Sequence, residues 1–426
     1  MQKNKLKIED LGINGEGIAH NRGKTFFVPF ALPGEEVEAE IVKENKNIVF
    51  AKLIKVLTAS EGRIVPPCPY FEKCGGCDLQ HMNYEKQLDF KQILVKNTIK
   101  KIAGIDAMVL PCERSENIFE YRNKISIPVS NGKLGLYEKS SHNIVEVKKC
   151  IITQNFNEKL INVLQNFLVK FKNETITHFV ARFLSEKLLL TIVSKTKTIK
   201  GLEYLQNELA DVFKSFGINI NINKKENAEI LSNEFVHVFG EKKLEINEGG
   251  FAVAVSNKSF FQVNDIIRNK IYGYVCEKIT GKNIIDAYSG VGILSSQLSK
   301  SAKKVFAIEI EKSACENARE ILNKNKIKNV NVICGDCKIH VPKLCKSEKI
   351  DAVVLDPPRA GCSAQVLSAI LKAQVPNIVY ISCSAQTLAR DIKVLNTQYK
   401  LESIKPFDMF PQTHHVECVA CFKIKK

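Results

Sequence analysis

The chain has 426 residues, room for about two to four domains, and its 45% hydrophobic content allows a normal core. Against 46 Asp+Glu stand 62 Lys+Arg, a net charge of +16 that suits a polyanion, nucleic acid before membrane. The stretch Met1-Gln2-Lys3-Asn4-Lys5-Leu6-Lys7 lacks the apolar core of a signal peptide, and no apolar run is long enough to span a bilayer, so a cytoplasmic protein is expected.

Residues 1–58 read as a small β domain. Runs at Thr25 to Phe30, Glu36 to Val42 and Ile48 to Val56 are parted by turns such as Gly15-Glu16-Gly17 and Pro33-Gly34. About five short strands in so little chain predict an OB-like β-barrel, a fold often used on nucleic acid. With its Gly-x-Gly turn and Ala31-Leu32-Pro33-Gly34-Glu35, the stretch resembles the TRAM domain, which implies RNA binding.

Residues 59–248 are read as a central α+β domain. It opens on a cysteine loop, Pro66-Pro67-Cys68-Pro69-Tyr70-Phe71-Glu72-Lys73-Cys74-Gly75-Gly76-Cys77, which has neither helical nor strand period. Glu85 to Lys101 reads as an amphipathic helix, and Lys124 to Val129, Ile144 to Val147 and Leu188 to Ser194 as strands. From 249 to 426 the pattern is regular. Strands expected at Asn283 to Asp286, Lys304 to Glu309, Val330 to Cys334, Asp351 to Asp356 and Asn377 to Ser382 alternate with helices, the βαβ signature of a doubly wound, Rossmann-like α/β domain.

The first of those strands runs into Asp286-Ala287-Tyr288-Ser289-Gly290-Val291-Gly292, a glycine turn that lets a backbone approach a ligand closely. Glu309 closes the second strand, where a carboxylate can bind both ribose hydroxyls. That spacing fits NAD and S-adenosylmethionine alike. The turn lacks the third glycine of the dinucleotide fingerprint, and Asp286 precedes it; both features resemble class I methyltransferases. In that family Gly335-Asp336 occupies the position of adenine contacts.

Two further strand ends carry chemistry. One presents Asp356-Pro357-Pro358-Arg359; the other runs Ile378 to Ser382 into Cys383-Ser384, a sharp turn before a helix. Asp356 and Cys383 are expected to face one crevice. Methyltransferases of exocyclic base amines resemble the first motif, but with an aromatic residue where Arg359 stands. That substitution argues against amine chemistry and points to Cys383. Carbon 5 of uracil is a poor nucleophile until a thiolate adds to carbon 6 and pushes electron density onto it. Such chemistry needs a cysteine, a general base for the carbon 5 proton, and donors for the enolate oxygen. Glu417, in His414-His415-Val416-Glu417, is the base candidate, its pKa open to elevation by burial.

Over nearly its whole length the chain resembles the RNA uracil-5-methyltransferase family, in particular the TRAM-bearing, iron–sulfur branch acting on 23S ribosomal RNA. Ser382-Cys383 with Thr387-Leu388-Ala389-Arg390-Asp391 resembles the nucleophile motif and His415-Val416-Glu417 the base motif. Phe260-Phe261-Gln262-Val263-Asn264 resembles the segment whose Gln meets the methyl donor. The resemblance implies that Gln262, Tyr288, Gly290, Glu309, Asp336 and Asp356 serve S-adenosylmethionine and substrate. It also lets the helix near residues 80–110 pack on the C-terminal domain. The chain departs from the family where Ser384-Ala385 replaces Asn-Pro. A transfer RNA enzyme of the same family, an amine methyltransferase and a non-catalytic RNA-binding protein are the competing readings.

Fourteen cysteines in a reducing compartment suggest metal or catalysis where they cluster. Cys68, Cys74 and Cys77 need a fourth ligand, and Cys150 lies in the same domain; the resemblance makes these four the ligands of a 4Fe–4S cluster, with zinc as the alternative. The spacing is not that of radical enzymes, and methyl transfer requires no electron, so a structural or RNA-holding cluster is expected. Cys418/Cys421 and Cys334/Cys337 are read as chance pairs. A strand spacing of three sends Cys418 and Cys421 to opposite faces, and no second pair accompanies the other. RNA is the expected partner, with no membrane and a monomer as the simplest state.

Overall fold

The computed structural model describes residues 3–154, 157–225, 229–258 and 261–425. The first body is a six-stranded sheet of β1 (Lys3–Lys7), β2 (Asp10–Leu11), β3 (Gly17–Asn21), β4 (Lys24–Val28), β5 (Glu36–Glu44) and β6 (Ile48–Thr58), in the order β1-β5-β6-β4-β3-β2. Alternation on β6 sends Val49 and Ala51 into a core with Leu6, Phe26 and Val37, and leaves Ile48 and Phe50 facing out. The strand beyond the expected five is β2, whose two residues are too short to show a period.

The cysteine loop follows, then α1 (Tyr84–Ala103). Asn83 caps α1 by accepting from Lys86 N at 3.0 Å, and Gly104, at φ 71°, ends it. The buried face of α1 does not stay with its sequence neighbours. Val95 and Ile99 lie in one core with Ile285, Tyr380, Leu388 and Ile392, more than 180 residues downstream for the nearest of them (Ile285).

The central body contains β7 (Lys124–Ser130), β8 (Lys133–Leu134), β9 (Leu136–Tyr137), β10 (Ile144–Val145), α2 (Asn157–Phe171), β11 (Ile176–Leu184), β12 (Lys187–Ser194), α3 (Leu202–Ala210), β13 (Phe216–Ile222) and β14 (Phe235–Gly240). Its sheet runs β14-β13-β12-β11-β7-β8. Leu160, Leu164 and Phe167 of α2 and Leu205 and Leu209 of α3 cover it through Phe179, Leu190 and Ile218. The strand expected to reach Val147 stops at Val145.

A hairpin of β15 (Leu244–Glu248) and β16 (Phe251–Val255) straddles the 248/249 division expected from sequence. Val253 and Val255 of β16 pack with Val291, Ile293 and Ile321 of the C-terminal body, while Leu244 of β15 shares that cluster with Leu184 and Leu189 of the central body. That body holds α4 (Asp265–Lys278), β17 (Asn283–Ala287), α5 (Ile293–Leu298), β18 (Lys304–Glu309), α6 (Lys312–Lys324), β19 (Val330–Cys334), α7 (Cys337–Ser347), β20 (Ala352–Leu355), α8 (Ala364–Ala373), β21 (Asn377–Ser382), α9 (Ala385–Leu395), β22 (Tyr399–Phe407) and β23 (Glu417–Ile424). The sheet order is β19-β18-β17-β20-β21-β23-β22. The first five strands are parallel and apolar along most of their length, as strands covered on both faces must be. β23 enters antiparallel between β21 and β22. Among the described residues no helix is long and apolar enough to cross a membrane.

If α1 is part of the C-terminal core, Ile99→Ala should cost about 2–4 kcal/mol, the usual loss for emptying a buried Ile site. Denaturant unfolding followed by a probe in residues 261–425 measures it. A loss too small to resolve would mean that α1 only lies against that core.

Candidate active site

The strand order reverses at β17, the place where open α/β sheets hold their ligands. Beyond β17 the backbone turns through positive φ at Tyr288 (65°), Gly290 (55°) and Gly292 (79°) before α5. A side chain at 292 would also press on Ala318 Cβ at 3.0 Å, so that glycine is needed for space as well as conformation. Gly290 N donates to Glu309 Oε2 at 2.9 Å, and Glu311 N to Glu309 Oε1 at 2.8 Å. Gly335 N donates to the Glu309 carbonyl at 2.8 Å, which brings Asp336 beside the same strand end. There Asp336 caps α7, accepting from Lys338 N at 2.9 Å, and that bond holds its carboxyl below the usual range. Gln262 lies in the segment that leads to α4, its main-chain carbonyl accepting from Asn123 Nδ2 at 3.1 Å. Phe260 lies outside the described residues.

Four carboxylates run across the mouth of the sheet. Burial raises Asp286 to about 7, relieved in part by its bond from Ser295 Oγ and raised further by Glu309. Burial and then Asp286 raise Asp356 to about 7. Burial and then Asp356 raise Glu417 to about 8, with Arg359 opposing. A crevice of this sign favours a cationic ligand. Asp356 stands one residue past β20, which ends at Leu355 rather than at Asp356 as the sequence suggests.

Antiparallel register pairs Ser382 of β21 with Cys418 of β23. Cys383 therefore leaves β21 opposite Glu417, the first residue of β23. Burial pushes the Cys383 thiol up to about 11; Glu417 and Asp356 add to the rise, and Arg359 opposes it. The resting group is a thiol, and Arg359 is the cation placed to draw it toward thiolate. Ser384 does the capping at the departure from the family pattern. Its Oγ accepts from Thr387 N at 3.4 Å, and Ser382 Oγ donates to the Ser384 carbonyl at 3.0 Å.

Sequence reading missed the groups that hold this turn. Tyr380 donates to Asp391 Oδ2 at 2.6 Å, and Cys362 N donates to the same oxygen at 2.9 Å. Arg390 Nη2 donates to the Ala360 carbonyl at 3.0 Å. These bonds tie the loop after Asp356-Pro357-Pro358-Arg359 to α9. A side chain on Gly361, at φ 79°, would strike Arg390 at 2.4 Å. The Arg390-Asp391 pair was visible as part of a motif, but its structural use was not.

Cys68, Cys74 and Cys77 share one loop, with Cys150 across from it. Burial raises each of the three thiols, and the charge Cys150 would carry as a thiolate raises each further. Among the described residues, however, no three His, Cys, Asp or Glu side chains are gathered as a ready set of ligands for a metal ion. A cleft of about 830 Å³ opens beside this loop, lined by Gly75, Cys150, Arg122, Lys124 and Phe261. Burial, then Arg182 and Arg122, lower Lys124 to about 8. Cys418 and Cys421 lie in β23 and are both buried. Cys334 is exposed and, after burial, adds to the rise of the Cys315 thiol, whose Sγ donates to the Glu309 carbonyl at 3.2 Å.

A doubly wound seven-stranded sheet with an inserted antiparallel strand and an acidic switch-point crevice defines the class I methyltransferase fold. Residues 83–337 and 343–425 match the family described as tRNA (Uracil-5-)-methyltransferase, and residues 2–54 match the TRAM domain. An RNA methyltransferase of Clostridium tetani is 37% identical over 97% of this chain and 95% of its own. One from Listeria monocytogenes is 35% identical over 98% and 97%. The chain therefore belongs to the RNA uracil-5-methyltransferase family. Among solved structures, a Pyrococcus abyssi tRNA (uracil-54, C5)-methyltransferase in complex with S-adenosyl-L-homocysteine superposes with a TM-score of 0.80, at 26% identity over 98% of this chain and 100% of that one.

The Glu417 pKa of about 8 has a consequence for stability. A carboxyl raised in the folded state favours folding fully below its unfolded pKa, and that contribution is lost as pH rises toward about 8. Glu417→Gln should therefore raise the thermal midpoint by several degrees at pH 9 and scarcely at pH 4. Equal gains at both pH values would mean that Glu417 is not held protonated by its surroundings.

Proposed function

We propose that the protein transfers a methyl group from S-adenosylmethionine to carbon 5 of a uridine in RNA. The observation that carries the reading is Cys383 set across from Glu417 beside the acidic crevice. S-adenosylmethionine supplies an electrophilic methyl group on a cationic sulfur, a charge suited to the carboxylates of Asp286, Asp356 and Glu309. Gln262, Tyr288, Gly290, Glu309, Asp336 and Asp356 are the residues proposed to hold it. The glycine turn, where a ligand can approach the backbone closely, and the Glu309 carboxylate serve the nucleoside end.

Cys383 first gives its thiol proton to solvent, with Arg359 favouring the thiolate, and Sγ then adds to carbon 6 of the uracil, giving an enolate that makes carbon 5 nucleophilic. Carbon 5 attacks the methyl carbon, whose bond to the sulfonium sulfur breaks as the new one forms, and S-adenosylhomocysteine is the leaving group. Glu417 then takes the carbon 5 proton, and the electron pair of that C–H bond expels the Cys383 thiolate from carbon 6. A pKa of about 8 suits Glu417 to this task, since the carboxylate is basic enough to accept a proton and still partly ionised near neutral pH. A base in folded RNA must leave its stack to reach the crevice. Phe27 and Phe50, stacked at 5.7 Å on the outer face of the N-terminal sheet, offer a surface for RNA bases.

Large-subunit ribosomal RNA is the first candidate substrate, from the pairing of a TRAM barrel with a cysteine loop. Transfer RNA is the second, favoured by full-length likeness to the archaeal tRNA enzyme. RNA carrying 5-fluorouridine separates these readings. With S-adenosylmethionine it should give a covalent band that survives denaturing electrophoresis and disappears in Cys383→Ala. Sequencing the trapped RNA names the substrate. Methyl transfer to ordinary RNA that persists undiminished in Cys383→Ala would remove the nucleophile assignment.

Cys68, Cys74, Cys77 and Cys150 are further proposed to hold an iron–sulfur cluster. The support is that Cys150 lies near enough to Cys68, Cys74 and Cys77 to add to the rise of each of those three thiols. Such a group would bind the loop to the central body. Protein purified without oxygen should carry about four irons and absorb in the visible, and Cys77→Ser should lose both. One equivalent of zinc with no colour would mean a zinc site in its place.

A further inference from the structure

Glu417 is reached through residues 408–416, a loop held by groups far away in sequence. Gln412 adopts φ 70°, a conformation disfavoured for a side chain with Cβ, and is buried. Its carbonyl accepts from Asp78 N at 2.9 Å and Leu79 N at 3.0 Å. Its own N–H donates to Gln87 Oε1 at 3.0 Å, and its Oε1 accepts from Gln87 Nε2 at 3.1 Å. Gln87 Nε2 also reaches the Met82 carbonyl at 2.9 Å, so the α1 amide is fixed at both ends.

Two residues on, His414 Nδ1 meets Asp78 Oδ2 at 2.7 Å, and Lys139 Nζ donates to Asp78 Oδ1 at 2.9 Å. The His414 and His415 rings meet at 4.1 Å, tilted by 48°. At the start of the loop, Asp408 pairs with Lys91 and accepts from Tyr84 OH at 2.8 Å. Lys91 donates to the Phe410 carbonyl at 3.1 Å, and Tyr121 OH to the Pro411 carbonyl at 3.1 Å. Buried polar groups satisfied this fully specify one conformation. They do so for a loop that ends on the proposed base.

We propose that Asp78 and Gln412 are positioning residues, which hold the loop so that Glu417 meets the carbon 5 proton. This inference rests on the proposed function. It assigns the clamp to one step: proton removal and release follow methyl transfer, and only they need Glu417. Loosening the clamp should slow release and leave earlier bond formation intact. A merely structural role would lower both together.

The test uses full-length protein with ordinary uridine-containing total RNA from cells lacking this gene, and radiolabelled S-adenosylmethionine. Label in the denaturation-resistant protein–RNA band is counted against label in free RNA. Asp78→Asn removes the charge that binds His414 and Lys139. Gln412→Gly removes the side-chain acceptor at a φ that glycine accepts without strain, so it should fold. Both should transfer methyl within about threefold of wild type on the first turnover and release free RNA at least about tenfold more slowly. The labelled band should accumulate as in Glu417→Gln, and Asp78→Glu should recover part of the release rate. Parallel loss of transfer and release, or unchanged release, overturns the clamp. If Glu417→Gln itself accumulates no band, the base assignment falls and the inference falls with it. If only Glu417→Gln accumulates it, the clamp alone is wrong.

Discussion

The antiparallel pairing of β23 with β21 is the constraint on which the site depends. Ser382 opposite Cys418 leaves Cys383 and Glu417 as the next pair, without any contact between their side chains having to be specified separately. Side chains alternate between faces along a strand, so a slip of one residue would turn Glu417 away from the crevice and Cys418 into it. Register is kept by the buried run of β23, in which Val419 and Phe422 fill opposite cores. The bonds on residues 408–416 keep the strand's entry fixed as well.

Electrostatics in the crevice run against stability. Asp286, Asp356 and Glu417 are each raised toward neutral pH by burial first and then by a neighbouring carboxylate, Glu309 for Asp286, Asp286 for Asp356 and Asp356 for Glu417. Separated and solvated, the same groups would ionise at no such cost. Their gathering at strand ends is the pattern of a functional site, where pKa values are shifted toward a task. Arg359 is the counterweight: it opposes the elevation of both Cys383 and Glu417. Its place after Asp356-Pro357-Pro358 sets a charge beside both groups, which the stacking aromatic of amine methyltransferases could not supply.

Much of this was legible because it is periodic or local. The parallel strands announced themselves as apolar runs, and β18, β19 and β21 end where the sequence suggests. Cys383, Glu309 and the glycine turn stood out as chemistry at strand ends. What stayed hidden was long-range. Nothing local in α1 says that Val95 and Ile99 belong with β17 and α9, and only the family resemblance let that helix pack on the C-terminal domain. Gln87, Lys91 and Gln412 carry no motif, and their use emerges only when residues more than 300 apart meet. Asp336 also caps α7, a task any turn aspartate can perform and one that no motif announces. The hairpin of β15 and β16 crossed the domain division read from sequence because short strands cannot show which body they lean on.

The placement of α1 also bears on how the chain is made. During synthesis α1 emerges with an apolar face whose partners, beginning with β17, have not yet been translated. The central body, with its contacts close in sequence, can condense in that interval while α1 waits uncovered. β23 then follows β22 in sequence but slots between β22 and β21 in space. The crevice is thus assembled late, by insertion into a sheet whose flanks already stand, and a nascent chain stalled before β23 would expose an open strand edge ready to pair with its neighbours.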